Sequence, residues 1–121
     1  MPKSILIVDD AASMRGLVAM TLRNAGYNVF EASDGKDALS KISQNKVNMV
    51  VTDLNMPNMN GIEFIKALKT NPSHKFLPVV MLTTESEESK KKQGQEAGAK
   101  AWIVKPFKPD TMLAVVKKII G

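Results

Sequence analysis

Five polar side chains stand where short apolar runs of the sequence end, and their types suit phosphoryl chemistry. They stand at the ends of four runs rich in Val, Ile, Leu or Met, and they are Asp9 with Asp10, Asp53, Thr83 and Lys105. Short apolar runs that alternate with helical patterns predict buried parallel strands. Because ligands bind at the carboxyl ends of such strands, we expect these side chains to meet at one edge of a sheet. That set suits a divalent cation and a phosphoryl group.

Asp53 is the candidate nucleophile of this cluster, because a carboxylate needs no adjacent base and aspartyl phosphates are a known class of intermediate. Three neighbouring carboxylates repel one another, and a hard divalent cation relieves that repulsion. Mg²⁺ is the expected cofactor, since it accepts one or two carboxylates and keeps water and phosphate oxygens as its other ligands. Lys105 would supply positive charge to the phosphoryl oxygens, and Thr83 would supply a hydrogen-bond donor.

Each of these residues also has a purely structural interpretation. Asp9 and Asp10 could cap the following helix, and Thr83 could cap another. Asp53 could start a turn, and Lys105 could be one surface lysine among many. The functional interpretation is favoured because the four positions end separate predicted strands on the same side of the sheet.

Length and composition predict one domain over residues 1–121. A chain of 121 residues is long enough to form a stable hydrophobic core without disulfides or a structural metal. It contains no cysteine, which excludes a disulfide framework and a thiolate metal site. The first apolar run is too short for a signal peptide, and no later run could span a bilayer, so we expect a cytoplasmic protein with no membrane partner. The formal net charge of +5 allows acidic partners.

The hydrophobic period alternates between about two and about 3.6 along the whole chain, without a linker-like stretch. The predicted strands are Ser4–Val8, Asn28–Ala32, Asn48–Asp53, Pro78–Thr83 and Ala101–Val104. The first predicted helix runs from about Ala12 to Ala25, the second follows Ser33–Asp34–Gly35 and runs to about Gln44, and the third follows a loop that includes Gly61 and runs to about Thr70. The fourth runs from about Ser86 to Ala97, and the fifth begins at Pro109 and continues through Ile120. Gly26 and Gly98 are the expected stops of the first and fourth helices. Five such units predict an α/β fold with one doubly wound, five-stranded parallel sheet.

The motif residues together resemble the signature of the receiver domain of two-component response regulators, and the resemblance covers essentially the whole chain. The residues that carry it are Asp9–Asp10, Asp53 with Met56–Pro57 and Gly61, Thr83, and Lys105–Pro106–Phe107. The stretches DDAASMRGLV and NMPNMNG, with the absence of any output domain, are most similar to the single-domain chemotaxis type. The resemblance implies a flavodoxin-like sheet of order 2-1-3-4-5 with helices on both faces, which is the order known for the chemotaxis regulator. It also implies a cis Lys105–Pro106 peptide.

The resemblance further implies that a sensor histidine kinase transfers a phosphoryl group to Asp53. Mg²⁺ would be held by Asp10, Asp53 and the backbone carbonyl of Asn55, with Asp9 acting through water. The chain would then be a phosphoacceptor that catalyses its own phosphorylation and dephosphorylation, and not an enzyme with a separate substrate. Asn55 and Glu85 match the pair that favours hydrolysis of the aspartyl phosphate in the chemotaxis type, so a short-lived signal is expected.

A conformational switch through Thr83 and Trp102 is also implied, although the family usually has Tyr or Phe where Trp102 stands. A downstream protein would bind the monomer on the face of the fourth helix, fifth strand and fifth helix, in chemotaxis or flagellar motor control. That segment carries seven lysines that would attract an acidic protein, and no motif for nucleic acid: Lys90, Lys91, Lys92, Lys100, Lys108, Lys117 and Lys118. A phosphate sink, a phosphorelay intermediate and a binding module without phosphotransfer remain alternatives. A phosphatase-like hydrolase is a further one, but it would need a general acid where Asn55 stands.

Overall fold

Strands and helices alternate from one end of the chain to the other, as the hydrophobic period predicts. A computed structural model describes residues 2–121 and contains five strands and five helices in that range. The strands are β1 (Ser4–Val8), β2 (Asn28–Ala32), β3 (Met49–Thr52), β4 (Val79–Thr83) and β5 (Ala99–Val104). The helices are α1 (Ala12–Asn24), α2 (Gly35–Gln44), α3 (Gly61–Lys69), α4 (Glu88–Ala97) and α5 (Pro109–Ile120).

All strand pairs are parallel, and the sheet has the order β2-β1-β3-β4-β5. This confirms the predicted doubly wound α/β fold and its strand order. The register is regular except between β4 and β5, where Val79 and Val80 pair with Ala99 and Ala101 and one residue of β5 is left over. Because the strands are parallel, their carboxyl ends lie together at one edge of the sheet.

The central strands are buried on both faces, since a parallel sheet carries helices on both sides. Alternate residues of β1 point to opposite layers. Leu6 and Val8 belong to the core cluster that includes residues of α2 and α3, whereas Ile5 and Ile7 belong to the cluster that includes residues of α1 and α5. The largest buried side chain, Phe64, lies in α3. Burial of one such side chain contributes about 1.5–3 kcal/mol to the stability of the fold.

Most element ends lie within two residues of the predicted ones. Gly26 and Gly98 adopt φ angles of 99° and 117°, which confirms them as helix stops. Helix α4 begins at Glu88 and not at Ser86, because the Glu87 backbone N–H donates to the Glu85 carboxylate (3.0 Å) and Glu87 is extended. Strand β5 begins two residues earlier than predicted, at Ala99.

Helix α4 is attached to the domain differently from the other helices. Its sequence, ESKKKQGQEA, has Ala97 as the one apolar side chain, and its N-terminus has no side-chain cap. Gly94 is its one buried residue. The helix therefore contributes little apolar surface of its own to the core.

Within residues 2–121, each helix is too short or too polar to cross a bilayer.

Candidate functional site

The carboxyl-end edge of the sheet brings the predicted carboxylates and the lysine into direct contact. One oxygen from each of Asp9, Asp10 and Asp53 lies within 4.8 Å of the others. The Lys105 Nζ lies 2.8 Å from Asp9 Oδ2 and 3.3 Å from Asp53 Oδ2. The Lys105–Pro106 peptide is cis, as the resemblance implies. Residues up to 96 positions apart in the sequence therefore form one cluster.

The charges in this cluster do not cancel. Three carboxylates and one ammonium group leave two negative charges, all within a small volume. The side chains of Asp9, Lys105 and Asp53 are 4%, 10% and 12% exposed, so solvent screens them weakly, whereas Asp10 is exposed. An all-oxygen donor set with an excess of two negative charges fits a hard divalent cation such as Mg²⁺.

The backbone around Asp53 holds its side chain at the centre of the cluster. Asp53 begins the loop directly after β3, and its N–H donates to the Val8 carbonyl across the sheet (2.9 Å). Its Oδ1 accepts from the Leu54 N–H (2.7 Å), which leaves Oδ2 to contact Lys105. Gly61 closes the loop by donating its N–H to the Leu54 carbonyl (2.8 Å). The carboxylate is thus positioned from both its strand and its loop.

Gly61 has a steric role that the motif alone did not explain. A Cβ atom on Gly61 would lie 2.4 Å from the Asp53 carbonyl oxygen and 3.1 Å from the Leu54 Cα. Both are backbone atoms, which cannot turn aside as a flexible side chain can. A glycine is therefore required where α3 begins, if the Asp53 peptide is to stay in place.

Asp9 is held by a residue that sequence reasoning missed. Its Oδ1 accepts from the Ala11 N–H (2.9 Å), and its backbone carbonyl accepts from Arg15 Nη1 (2.7 Å). Arg15 is in turn paired with Glu31 of β2 at 3.3 Å. The signal for this contact is weak, because an arginine one turn into a helix is usually a solvated side chain.

Thr83 and Trp102 both form hydrogen bonds with the backbone of Glu85. Thr83 is fully buried, and its Oγ1 accepts from the Glu85 N–H (3.2 Å). The indole N–H of Trp102 donates to the Glu85 carbonyl (2.8 Å). The Thr83 carbonyl also accepts from the Lys105 N–H (2.8 Å), which ties β4 to the lysine. Glu85 therefore connects the two residues predicted to switch.

The Trp102 ring lies against Gly94 of α4, a contact that sequence reasoning also missed. A Cβ atom on Gly94 would come within 2.7 Å of Trp102 Cζ3. A glycine in a helix interior lowers helix stability by about 1 kcal/mol relative to alanine. A glycine at position 94 of a predicted helix was therefore the one sequence signal that another group packs closely there.

Asn55 lies two residues beyond Asp53 in the loop before α3, and it is exposed. Its backbone carbonyl as a metal ligand, and its effect with Glu85 on dephosphorylation, stay predictions. The structure gives the positions of the other predicted site residues, and their roles also stay predictions: Asp9, Asp10, Asp53, Thr83 and Lys105.

Comparison with known proteins gives a consistent result. A family model described as the response regulator receiver domain matches residues 5–117. The phosphate regulon transcriptional regulatory protein PhoB of Pseudomonas aeruginosa is 38% identical over 98% of this chain and 52% of that protein. Chemotaxis protein CheY-3 of Vibrio cholerae is 40% identical over 95% of this chain and 89% of that protein. The chain therefore spans about half the length of PhoB and most of the length of CheY-3.

Among solved structures, that of the chemotaxis protein CheY4 of Vibrio cholerae is similar with a TM-score of 0.95 and 42% sequence identity. The match covers 99% of this chain and 100% of that chain.

Proposed function

Because this chain belongs to the response regulator receiver domain family and is thus part of a phosphorylation-dependent signalling switch, we propose that Asp53 accepts the phosphoryl group. The observation that carries the proposal is the contact of Asp53 Oδ2 with Lys105 beside two further carboxylates. Phosphoryl transfer requires a nucleophile, positive charge for the phosphoryl oxygens and a site for a metal ion. Asp53, Lys105 and the neighbouring carboxylates would supply these in one cluster. The test is covalent labelling by acetyl phosphate, detected by mass spectrometry of the intact protein.

In the proposed transfer, a carboxylate oxygen of Asp53 forms a bond to phosphorus while the bond from phosphorus to the nitrogen of a kinase phosphohistidine breaks. The histidine leaves with the electron pair of that bond and takes up a proton. Lys105 already contacts Asp53, and its ammonium group would move to contact the phosphoryl oxygens once they carry the negative charge. Such a movement is possible because the lysine side chain is flexible and its ammonium group binds anions without a fixed geometry. Asp9 keeps Lys105 in place at 2.8 Å before the group arrives.

Mg²⁺ would be held by Asp10, Asp53 and the backbone carbonyl of Asn55, with Asp9 acting through water. When bound, the cation neutralises the carboxylates and the charge on the phosphoryl oxygens. Asp10 is exposed and so has access to an incoming hydrated ion. The chain is accordingly proposed as a phosphoacceptor that catalyses its own modification, and not as an enzyme with a separate substrate.

Mg²⁺ is expected to raise the melting temperature by roughly 10 °C at a concentration about 100-fold above its dissociation constant, because it binds the folded state alone. Asp10→Asn should remove most of that increase, since it deletes a ligand charge from the cluster. Differential scanning fluorimetry measures both. Asp110→Asn, at an exposed position of α5, is the matched control and should keep the full increase. An undiminished Mg²⁺ effect in Asp10→Asn would move the metal site elsewhere.

We propose that the signal leaves the site through Thr83, Glu85 and Trp102. If the Thr83 side chain rotates so that its hydroxyl donates to a phosphoryl oxygen, Oγ1 moves away from the Glu85 N–H that now donates to it. The Glu85 carbonyl, which receives the Trp102 indole N–H, belongs to the same residue and would shift with it. The phosphoryl group thereby biases two conformations by differential contact.

Trp102 provides its own readout of this switch, because it is the single tryptophan of the chain. Its emission should change when Mg²⁺ and beryllofluoride are added together, but not with fluoride alone. Gly94→Ala should alter the emission before any addition, because the new methyl group displaces the ring from α4. Fluorescence titration checks both. If the Trp102 emission stays the same when Mg²⁺ and beryllofluoride are added, the indole is fixed and the signal travels through the backbone alone.

The output face is proposed to consist of α4, β5 and α5, and its occupant to be a downstream protein in chemotaxis or flagellar motor control. Support comes from the similarity to chemotaxis proteins over nearly their whole length. Val104 of β5 is 40% exposed on this segment, and its lysines provide long-range attraction for an acidic partner. Residues 1–121 are proposed as a single receiver domain that is monomeric and cytoplasmic and is phosphorylated by a sensor histidine kinase.

A further inference from the structure

An exposed aromatic side chain stands at the amino-end edge of the sheet, opposite the aspartate cluster. Phe76 belongs to the loop between α3 and β4, and it is 86% exposed. It lines two clefts. One cleft, of about 590 Å³, lies between the segment 42–48 and the loop 70–78. The other, of about 430 Å³, is lined by Phe76 with Lys3, Lys100 and Ile120.

The loop that carries Phe76 is held in shape by its own hydrogen bonds. The His74 N–H donates to the Asn71 carbonyl (3.0 Å), and the Leu77 N–H donates to the His74 carbonyl (3.1 Å). Lys69 Nζ donates to the Leu77 carbonyl (2.8 Å), and Leu77 itself packs on the core. A ring presented by an ordered loop loses little conformational freedom when a partner covers it.

The charge around Phe76 has one sign. Lys75 Nζ lies 5.7 Å from the centroid of the Phe76 ring, Lys46 lines the first cleft, and Lys3 and Lys100 line the second. The pKa of Lys69 is below its ordinary value, because burial disfavours its charge and because Lys100 repels it. The described segments that connect elements at this edge contain no Asp or Glu: residues 2–3, 25–27, 45–48, 70–78 and 98.

We propose that this amino-edge face, defined as Lys3, Lys46, Lys75, Phe76 and Lys100, binds an acidic protein segment that carries an apolar side chain. The lysines fit the carboxylates of such a segment, and Phe76 with its two clefts fits its apolar group. Electrostatic attraction then sets the association rate, and burial of the Phe76 ring sets the lifetime of the complex.

The shape of the face favours a peptide over a bilayer or a nucleic acid. Protruding side chains can fill the two clefts beside Phe76, whereas the flat surface of a bilayer cannot. Single-stranded nucleic acid is bound by successive aromatic side chains on a basic groove. Phe76 is the one Phe, Tyr or Trp that lines either cleft in the described part of the chain.

The amino-edge face lies at the end of the strands away from Asp53, and of its five residues only Lys100, near the start of β5, also belongs to the output face. Binding to it is therefore expected to be equally strong with and without Mg²⁺ and beryllofluoride. This independence separates the inference from the proposed phosphorylation switch, because either can fail while the other stands.

The test uses a short fluorescein-labelled peptide of Glu, Asp and Ser residues around one central Leu, titrated with the protein by fluorescence anisotropy. Phe76→Ser should weaken binding about tenfold, since burial of the ring is lost. Lys75→Glu should also weaken it, and more strongly at low salt. Replacing the Leu of the peptide by Ser should weaken binding to the native chain but not to Phe76→Ser. Phe76 is largely exposed, so the variant folds, which circular dichroism checks.

Lys36→Glu is the matched control, because it makes the same charge change at an exposed position in the first turn of α2, which belongs to neither face. It should leave peptide binding nearly unchanged. A loss of binding in Lys91→Glu on α4 with none in Lys75→Glu would assign the peptide to the output face and overturn the proposal. Equal binding by Phe76→Ser and the native chain would overturn it as well. Tighter Phe76-dependent binding to phosphatidylserine vesicles or to single-stranded DNA than to the peptide would identify another class of partner, and would equally refute it.

Discussion

Asp53→Asn is expected to abolish labelling by acetyl phosphate while leaving the fold intact. The amide keeps the size of the carboxylate but loses the charge that makes it a nucleophile. Lys105 keeps its ion pair with Asp9 at 2.8 Å, so no buried charge is left unpaired by the substitution. Intact-protein mass spectrometry measures the label, and circular dichroism measures the fold.

Asp110→Asn serves as the control for that experiment, because it removes an exposed carboxylate of α5 that is not one of the three grouped carboxylates. It should be labelled like the native chain. Persistent labelling of Asp53→Asn would mean that another carboxylate, with Asp10 the nearest candidate, takes the phosphoryl group. Loss of labelling in both variants would point to an effect on folding instead.

Gly61→Ala is expected to lower the free energy of unfolding by about 3 kcal/mol and to reduce labelling as well. The added methyl group would lie 2.4 Å from the Asp53 carbonyl oxygen, so either α3 or the Asp53 peptide must move. Overpacking of a well-packed region typically costs about 1–3 kcal/mol, and backbone atoms relax less than side chains. Urea unfolding measures the stability change, with a lower midpoint at an unchanged slope.

Gly16→Ala makes the same chemical change where there is room for it. Gly16 lies inside α1, and a Cβ atom there meets nothing within 4 Å. Alanine should therefore stabilise the chain, by about 0.5–1 kcal/mol, through its higher helix propensity. Equal effects of the two substitutions would contradict the steric role assigned to Gly61.

The fold and the residues of the cluster could be predicted because both follow from hydrophobic patterns that are visible within short stretches of the sequence. Apolar runs alternating with helical periods indicate parallel strands, and parallel strands place their ends at one edge. Asp9, Asp53 and Lys105 were therefore expected together before any contact was known. The left-handed stops at Gly26 and Gly98 follow from the same local reasoning.

Two of the missed contacts, those of Arg15 and Trp102, join separate elements of the fold, whereas the late start of α4 has a local cause. The Arg15 side chain bonds to the Asp9 carbonyl and to Glu31 of another strand, and nothing in the α1 sequence specifies that partner. The packing of Trp102 on Gly94 likewise needs the position of α4 over β5. The late start of α4 depends on a local bond from the Glu87 N–H to Glu85, which competes with the first helical turn.

Helix α4 has one buried residue, Gly94, and one partly buried apolar residue, Ala97, whereas α3 buries Ile62, Phe64, Ile65 and Leu68. An element with so few buried apolar contacts opens at a free energy below that of global unfolding, so its amide hydrogens exchange with solvent before those of α3. Substitutions on its outer surface also leave global stability nearly unchanged. The residues of α4 in the proposed output face can consequently diverge between related chains without loss of folding, and new specificities can arise there while the three aspartates stay the same.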